Sequence, residues 1–175
     1  MGTGRDWRRA GVIIAIIGVL IVAPAALATL VPTRETPVGQ GTTIRLTAPG
    51  QPPDTIAFSG VDGWSQRPTG DDTTAVLDGP SGRVLLVTVV NGVTDFGSAV
   101  QWRREVLGVQ AFPVQDDGGQ IANAQGFAGP TCRGSTHPGA CAILGNHNLA
   151  VSVLISGPAT GADLQPIVSS LRVAS

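Results

Sequence analysis

Residues 10–31 carry no charge and are almost wholly apolar, with Arg5, Arg8 and Arg9 before them and Pro32 and a polar sequence after them. At about 1.5 Å rise per residue, a helix of that length covers roughly the 30 Å hydrocarbon core of a bilayer. The run therefore predicts one N-terminal transmembrane helix. The arginines ahead of it, against Arg34 alone soon after it, predict that residues 1–9 stay cytoplasmic and that everything after Val31 is exported. The same residues also fit a secretory signal. Val12 to Val22 would be its apolar region, Pro24 would break its helix, and Ala26-Leu27-Ala28 offers the small residues needed for cleavage after Ala28, which would leave a secreted protein. Leu30 and Val31 carry the apolar run past that site and favour the uncleaved anchor. No cysteine follows the run to accept a lipid, and Arg8-Arg9 reads as topogenic charge because the flanking residues of a twin-arginine signal are absent.

Once these residues are set aside, what remains suits one domain of the usual size, about 100–150 residues. The whole chain has a formal net charge of -1, no lysine and no tyrosine. Its arginines are scattered and, beyond Val31, outnumbered by acids. A nucleic-acid or anionic-lipid surface needs a basic cluster, so neither partner is expected. The wealth of Gly, Ala, Val, Asp and Arg resembles the coding bias of a GC-rich actinobacterial genome. Residues 32–41 contain Pro32, Pro37, Gly39 and Gly41 with little apolar content. They predict an extended linker reaching no more than roughly 30 Å, which keeps a domain of residues 42–175 close to the bilayer.

From Thr42 onward, strand signals alternate with turns. Thr42 to Thr47 and Thr55 to Val61 read as half-buried strands, the second stopping at Asp62-Gly63 before Trp64. Thr73 to Leu77 is a short strand. After the turn Asp78-Gly79-Pro80-Ser81-Gly82, Arg83 to Val90 reads as a central strand with no polar face. The period then changes: Phe96, Ala99, Val100, Arg103, Val106 and Leu107 recur at helical spacing with one polar interruption. Thr94 or Asp95 serves as N-cap and Gly108 stands where a terminating glycine belongs. Trp102, Arg103, Arg104 and Glu105 crowd the other side of this helix, as a solvated face or a binding one. Ala111 to Gln115 and Gln120 to Phe127 read as a hairpin around Asp116-Asp117-Gly118-Gly119. Ala140 to Leu144 and Leu149 to Ile155 form another around Gly145-Asn146-His147-Asn148. A final helix carries Leu164, Ile167, Val168 and Leu171 in one stripe, with Asp163 as N-cap and Pro166 in the first turn. This order lacks regular βαβ alternation and predicts an α+β fold, mainly an antiparallel sheet flanked by helices.

The segment Phe58, Val61, Gly63, Trp64, then two short strands, an amphipathic helix, a hairpin-rich middle and an end at Ser169-Ser170-Leu171-Arg172, resembles the PsbP-like fold and actinobacterial envelope proteins of the LpqN type. Asp62 stands where that pattern usually has a proline. The resemblance covers roughly Thr42 to Ala174. It implies a non-catalytic adaptor or carrier domain and carries over no catalytic residue.

Both cysteines and both histidines of the chain fall between Cys132 and His147. In an oxidising compartment Cys132 and Cys141 are expected to form a disulfide. The intervening Gly134, Pro138 and Gly139 let the chain fold back to a Cα separation near 5.5 Å, and the bond would contribute roughly 2–3 kcal/mol. A Cys₂His₂ zinc set of Cys132, His137, Cys141 and His147 has the right number of ligands but lacks the close Cys-x₂-Cys or His-x₃-His knuckle, and oxidation would consume two of them. Ser135 beside His137 lies outside any Gly-x-Ser-x-Gly elbow. Asp71-Asp72 and Asp116-Asp117 follow no calcium-loop spacing and read as turn residues. The glycine-rich turns lead into no phosphate-binding helix start. No catalytic residue, metal or cofactor is expected. The expectation is a membrane-tethered extracytoplasmic binding domain that contacts another envelope protein, with Trp64 or Trp102 as anchor. A lipid or small-molecule carrier would instead need an apolar pocket of roughly 300 Å³ or more between sheet and helix. A hydrolase would need a histidine bonded to both a hydroxyl and a carboxylate.

Overall fold

The structure, a computed structural model, describes residues 35–174. The proposed span over residues 10–31 and the cleavage site at Ala26 and Ala28 lie outside the described residues. Among the described residues, no helix is long and apolar enough to cross a membrane.

The strands are β1 (Thr36–Pro37), β2 (Ile44–Ala48), β3 (Asp54–Phe58), β4 (Ser65–Arg67), β5 (Thr74–Asp78), β6 (Val84–Val90), β7 (Val114–Ala122), β8 (Ala128–Gly134), β9 (Gly139–Asn146), β10 (Leu149–Ser156) and β11 (Arg172–Ala174). Helix α1 (Phe96–Val109) lies between β6 and β7, and α2 (Gly161–Ser170) between β10 and β11. An 8-stranded sheet has the order β1-β4-β5-β6-β10-β9-β8-β7 and a 3-stranded sheet the order β11-β3-β2. Every pairing is antiparallel. The α+β class with a mainly antiparallel sheet is therefore what the chain forms.

Strand alternation decides which sheet face each residue serves. Leu85, Val87 and Val89 of β6, Ala142 and Leu144 of β9, and Val151, Val153 and Ile155 of β10 face the main core. Opposite them stand Ile44, Leu46, Ile56 and Phe58 of the small sheet and Leu164, Ile167 and Val168 of α2. The other face carries a second cluster under α1, in which Leu107 packs with Cys132, Cys141 and Leu154. Cover on both faces explains why β9 and β10 read as continuous apolar runs. Strand β6 does have two unlike faces, contrary to the sequence expectation. Val84 and Leu86 are half-buried and Val90 is exposed, because α1 covers that side only in part.

Several boundaries also differ from expectation. Asp116-Asp117-Gly118-Gly119 is not a hairpin turn; it is a bulge within the single strand β7, where Asp117, Gly118 and Gly119 stand against Thr131 alone. The carboxylates make this possible: Asp116 and Asp117 accept the N–H groups of Gly118 and Gly119 at 2.8 and 2.9 Å, and Thr131 donates its hydroxyl to Asp117. The real turn follows at Asn123, which returns the chain into β8. That strand contains Gly129, Pro130 and Gly134, and a Cβ at Gly129 would sit 1.9 Å from the Ile143 carbonyl, so close packing requires the glycine.

Helix α1 is capped by Asp95, whose carboxylate accepts from the Gly97 N–H at 3.0 Å. It does not end at Gly108. The chain turns at Ala111, with φ 63, where the N–H of Ala111 meets the Gly108 carbonyl and that of Phe112 the Leu107 carbonyl, a Schellman closure with alanine in the glycine position. Helix α2 starts a turn earlier than expected. Thr160 is its N-cap and Asp163 reaches back to the Thr160 N–H at 2.8 Å, so Pro166 lies inside the helix. At its other end Asn123 donates to the carbonyls of Val168 and Leu171, both at 2.7 Å. Within the linker expected over 32–41, Thr36 and Pro37 instead pair with β4, and Val38 is buried and donates its N–H to the Trp64 carbonyl at 2.7 Å.

Candidate functional site

Two apolar strands and the buried stripe of a helix each contain one polar interruption on the α1 side of the large sheet: Thr88 in β6, Ser152 in β10 and Arg103 in α1. Thr88 and Ser152 are direct cross-strand partners, and Arg103 lies over them because Val100, Arg103 and Leu107 share the buried face of α1. All three line one cavity of about 30 Å³ whose remaining walls include Val93, Ala99, Ile143 and Ala150.

Arg103 is 7% exposed and Ser152 4%. The Arg103 Nη2 donates to the Thr88 hydroxyl at 3.0 Å. Its Nε and the Ser152 hydroxyl are both buried with no hydrogen-bond partner among the described residues. The ion pairs there are Arg67 with Asp78, Arg83 with Asp163 at 3.0 Å and Arg104 with Asp116 at 2.9 Å, so Arg103 has no carboxylate. Burial alone pulls its guanidinium below the usual arginine range. An arginine nevertheless remains charged at neutral pH, and a buried charge without a counter-charge is costly.

Trp102 stands at the lip of the cavity, 54% exposed, with Val90 at 36% beside it. Trp64 is placed differently. It is 8% exposed and packs under the Arg83 guanidinium, 5.5 Å from its ring centre, while a Cβ at Gly79 would lie 2.6 Å from the indole. Its ring is built into the main core beside the β5–β6 connection, so of these two tryptophans Trp102 is the one that offers a surface. Val61 to Trp64 form a tight turn with Gly63 at φ 77, closed by the Trp64 N–H on the Val61 carbonyl. Asp62 accepts the Gly41 N–H at 3.0 Å.

Cys132 and Cys141 are joined by a disulfide across β8 and β9, with a Cα separation of 4.9 Å. Both are buried beneath Leu107 of α1. His147 lies at the far end of β9, in the hairpin turn and at φ 50, roughly 17 Å along the strand from Cys141 at about 3.3 Å per residue. The four residues of the zinc set are thus not brought together. No group of three or more His, Cys, Asp or Glu among the described residues could hold a metal ion. Ser135 donates to the Pro113 carbonyl at 2.9 Å, and His137 Nδ1 lies 2.9 Å from the Thr136 hydroxyl; both are exposed loop contacts. Asp71 closes a local turn by accepting from the Thr73 N–H and hydroxyl, which holds its carboxyl below the usual range.

A more open groove of about 260 Å³ runs beside the C-terminal half of α1, between Val76, Val84, Leu86, Leu107, Phe112 and Leu154. Sequence reasoning missed Thr88 and Ser152 and took Arg103 both as the interruption of an apolar stripe and, with Trp102, Arg104 and Glu105, as part of a solvated or binding face. The signal was there, one polar residue inside each of two apolar strands and one in the apolar stripe of a helix, but only the β6–β10 register and the placement of α1 bring them to one point. No protein-family model, curated protein or solved structure matches this chain.

Proposed function

We propose that the chain is an exported, membrane-tethered binding domain of the cell envelope, non-catalytic and without a cofactor. It engages another envelope protein through the α1 side of its large sheet. The observation that carries this reading is Trp102, a half-exposed indole on a docked helix, bordered by the exposed Val90 and seated over a buried unpaired arginine. Aromatic residues of this kind dominate the energetics of protein interfaces. The N-terminal apolar run supplies the anchor and the export, with residues 1–9 cytoplasmic. The disulfide suits an oxidising compartment. The likeness to PsbP-like envelope proteins of actinobacteria fits the same role.

The test is photocrosslinking from position 102 in native membranes, with position 173 as a control on the 3-stranded sheet. A reproducible envelope protein captured from 102 and lost on Glu105→Arg or Val90→Asp supports the reading. Identical products from 102 and 173, or none, would sink it.

A carrier of small apolar molecules is a second reading; the apolar groove beside α1, at about 260 Å³, lies just under the size expected of such a pocket. It requires that a fluorescent fatty-acid probe bind saturably and be displaced by Leu86→Trp, which fills the groove.

A further inference from the structure

Helix α1 carries two stripes, and the sheet covers one of them. Val100, Arg103 and Leu107 are buried, whereas Ala99, Trp102, Val106 and Val109 recur at intervals of three and four residues and lie roughly 110° round the helix from them. Ala99 and Val106 are half-buried, Trp102 is exposed and Val109 is 90% exposed. The opposite flank fixes where this second stripe points, because Arg104 there donates to Asp116 of β7 at 2.9 Å. The stripe therefore overhangs β6. Val90 meets Ala99 and Trp102 at one end, and the groove of about 260 Å³ continues the same shelf over Val76, Val84 and Leu86, which are half-buried.

The shelf has the shape of a vacant place in a helix layer. Helices pack side by side about 8–10 Å apart, close to two strand spacings of the sheet beneath them. Helix α1 touches β7, β9 and β10, so the next position falls over β6 and β5, where no helix lies on this face among the described residues. A wall with apolar residues at alternating intervals of three and four is also the seam by which one helix packs along another.

Charge says what kind of helix fits. Asp71 and Asp72 stand beside the Val90 end of the shelf, since the carbonyl of the next residue, Thr73, accepts the Val89 N–H at 2.9 Å. Asp95 caps α1 at the same end. None of these three carboxylates takes part in the ion pairs among the described residues. We propose that the shelf between α1 and the β5–β6 face seats one amphipathic helix of a partner protein, about four turns long to match α1, with an apolar stripe and basic residues at the end lying against Asp71, Asp72 and Asp95. This rests on the reading of the α1 side as a binding face and names the element that the face receives.

The experiment uses the full-length chain in zwitterionic lipid nanodiscs and follows the amides of Val76, Leu86, Val106 and Val173 by NMR. The probe is a synthetic peptide of about four helical turns, with leucines spaced by three and four residues, lysines in its last turn and a nitroxide at its end. Two control peptides replace the lysines by glutamates or scatter the leucines. The expected result is saturable broadening of Val76, Leu86 and Val106 but not Val173, at a Kd of roughly 10–100 µM. Binding should weaken at least about fivefold with the glutamate peptide and when salt rises from about 0.05 to 0.3 M. It should be lost in Val106→Glu and Leu86→Glu and weakened in Val109→Glu, a substitution too exposed to disturb the core. Equal binding of either control peptide, broadening that includes Val173, or no saturable binding would overturn the proposal. So would sedimentation of the native chain as a dimer that Val106→Glu dissociates, which assigns the shelf to a second copy, or binding of the fatty-acid probe there without binding of the peptide, which assigns it to a carrier. Capture of an envelope protein from position 102 while the peptides fail discards the helix and leaves the binding face standing.

Discussion

Ala111 and Arg103 are single residues that the fold accommodates at a cost. Ala111 holds φ 63 to close the Schellman turn after α1. An alanine there pays roughly 1–2 kcal/mol that glycine avoids, partly offset by the greater freedom of glycine in the unfolded chain. A Cβ removed from this exposed position leaves no hole, so Ala111→Gly should raise stability by about 0.5–1 kcal/mol, read as a shift of the urea midpoint at unchanged slope. Arg103 leads to a less usual expectation. Replacing an unpaired buried charge by an unbranched apolar side chain of similar length removes a desolvation penalty. Arg103→Met should therefore leave stability unchanged or raise it by about 1 kcal/mol, although it substitutes a residue more than nine-tenths buried. A loss of several kcal/mol in the same measurement would mean that Arg103 is a structural pillar. Neither position was legible in sequence. Gly108 was the obvious terminator of α1 and Arg103 a blemish in a stripe, because helix length and docking depend on what the helix rests on.

The helices and hairpins show where local chemistry suffices. Helix α2 is bracketed by Asp163 at its start and Asn123 at its end. Hydrogen bonds from the Thr160 N–H and hydroxyl, and then the Arg83 charge, hold the Asp163 carboxyl below the usual carboxylate range. A depressed carboxyl contributes stability that is present above its unfolded value, about 3.9, and is lost as pH falls through the lower folded value. Asp163→Asn should thus be less stable than the native chain near neutral pH, with the difference shrinking below about pH 4 in parallel thermal melts. A constant difference across that range would mean that the carboxylate charge contributes nothing. The disulfide belongs to this scale too, since it links β8 to β9 and supports α1. Removing it as Cys132→Ala with Cys141→Ala should cost about 2–4 kcal/mol, from a freer unfolded chain and the gap left under Leu107. Because both sulfurs are buried, thiol reagents should find no target in the folded protein whatever its redox state. The informative labelling is in denaturant, with and without reductant.

Among the described residues, the large sheet has one thickly covered face and one thinly covered one. The main core lies between the large sheet on one side and α2 with the small sheet on the other, whereas the opposite face is covered by α1, with three buried residues Val100, Arg103 and Leu107, and by Phe112 just after it. Amides of α1 should accordingly exchange with deuterium through a local opening well below the global free energy, while those of β9 and β10 exchange only on global unfolding. Uniform protection across α1 and β10 would contradict that division. By itself the sequence determined what depends on neighbours along the chain. The apolar N-terminal run, the period-two strands, the change of period at α1, the α+β class and the pairing of the two cysteines are local or compositional signals. Tertiary structure alone decided the rest. The bulge in β7, the strand made from Gly129 and Pro130, the burial of Trp64 and the meeting of Thr88, Arg103 and Ser152 all arise from contacts between residues far apart in sequence. Register and docking, which no window of neighbouring residues encodes, set those contacts.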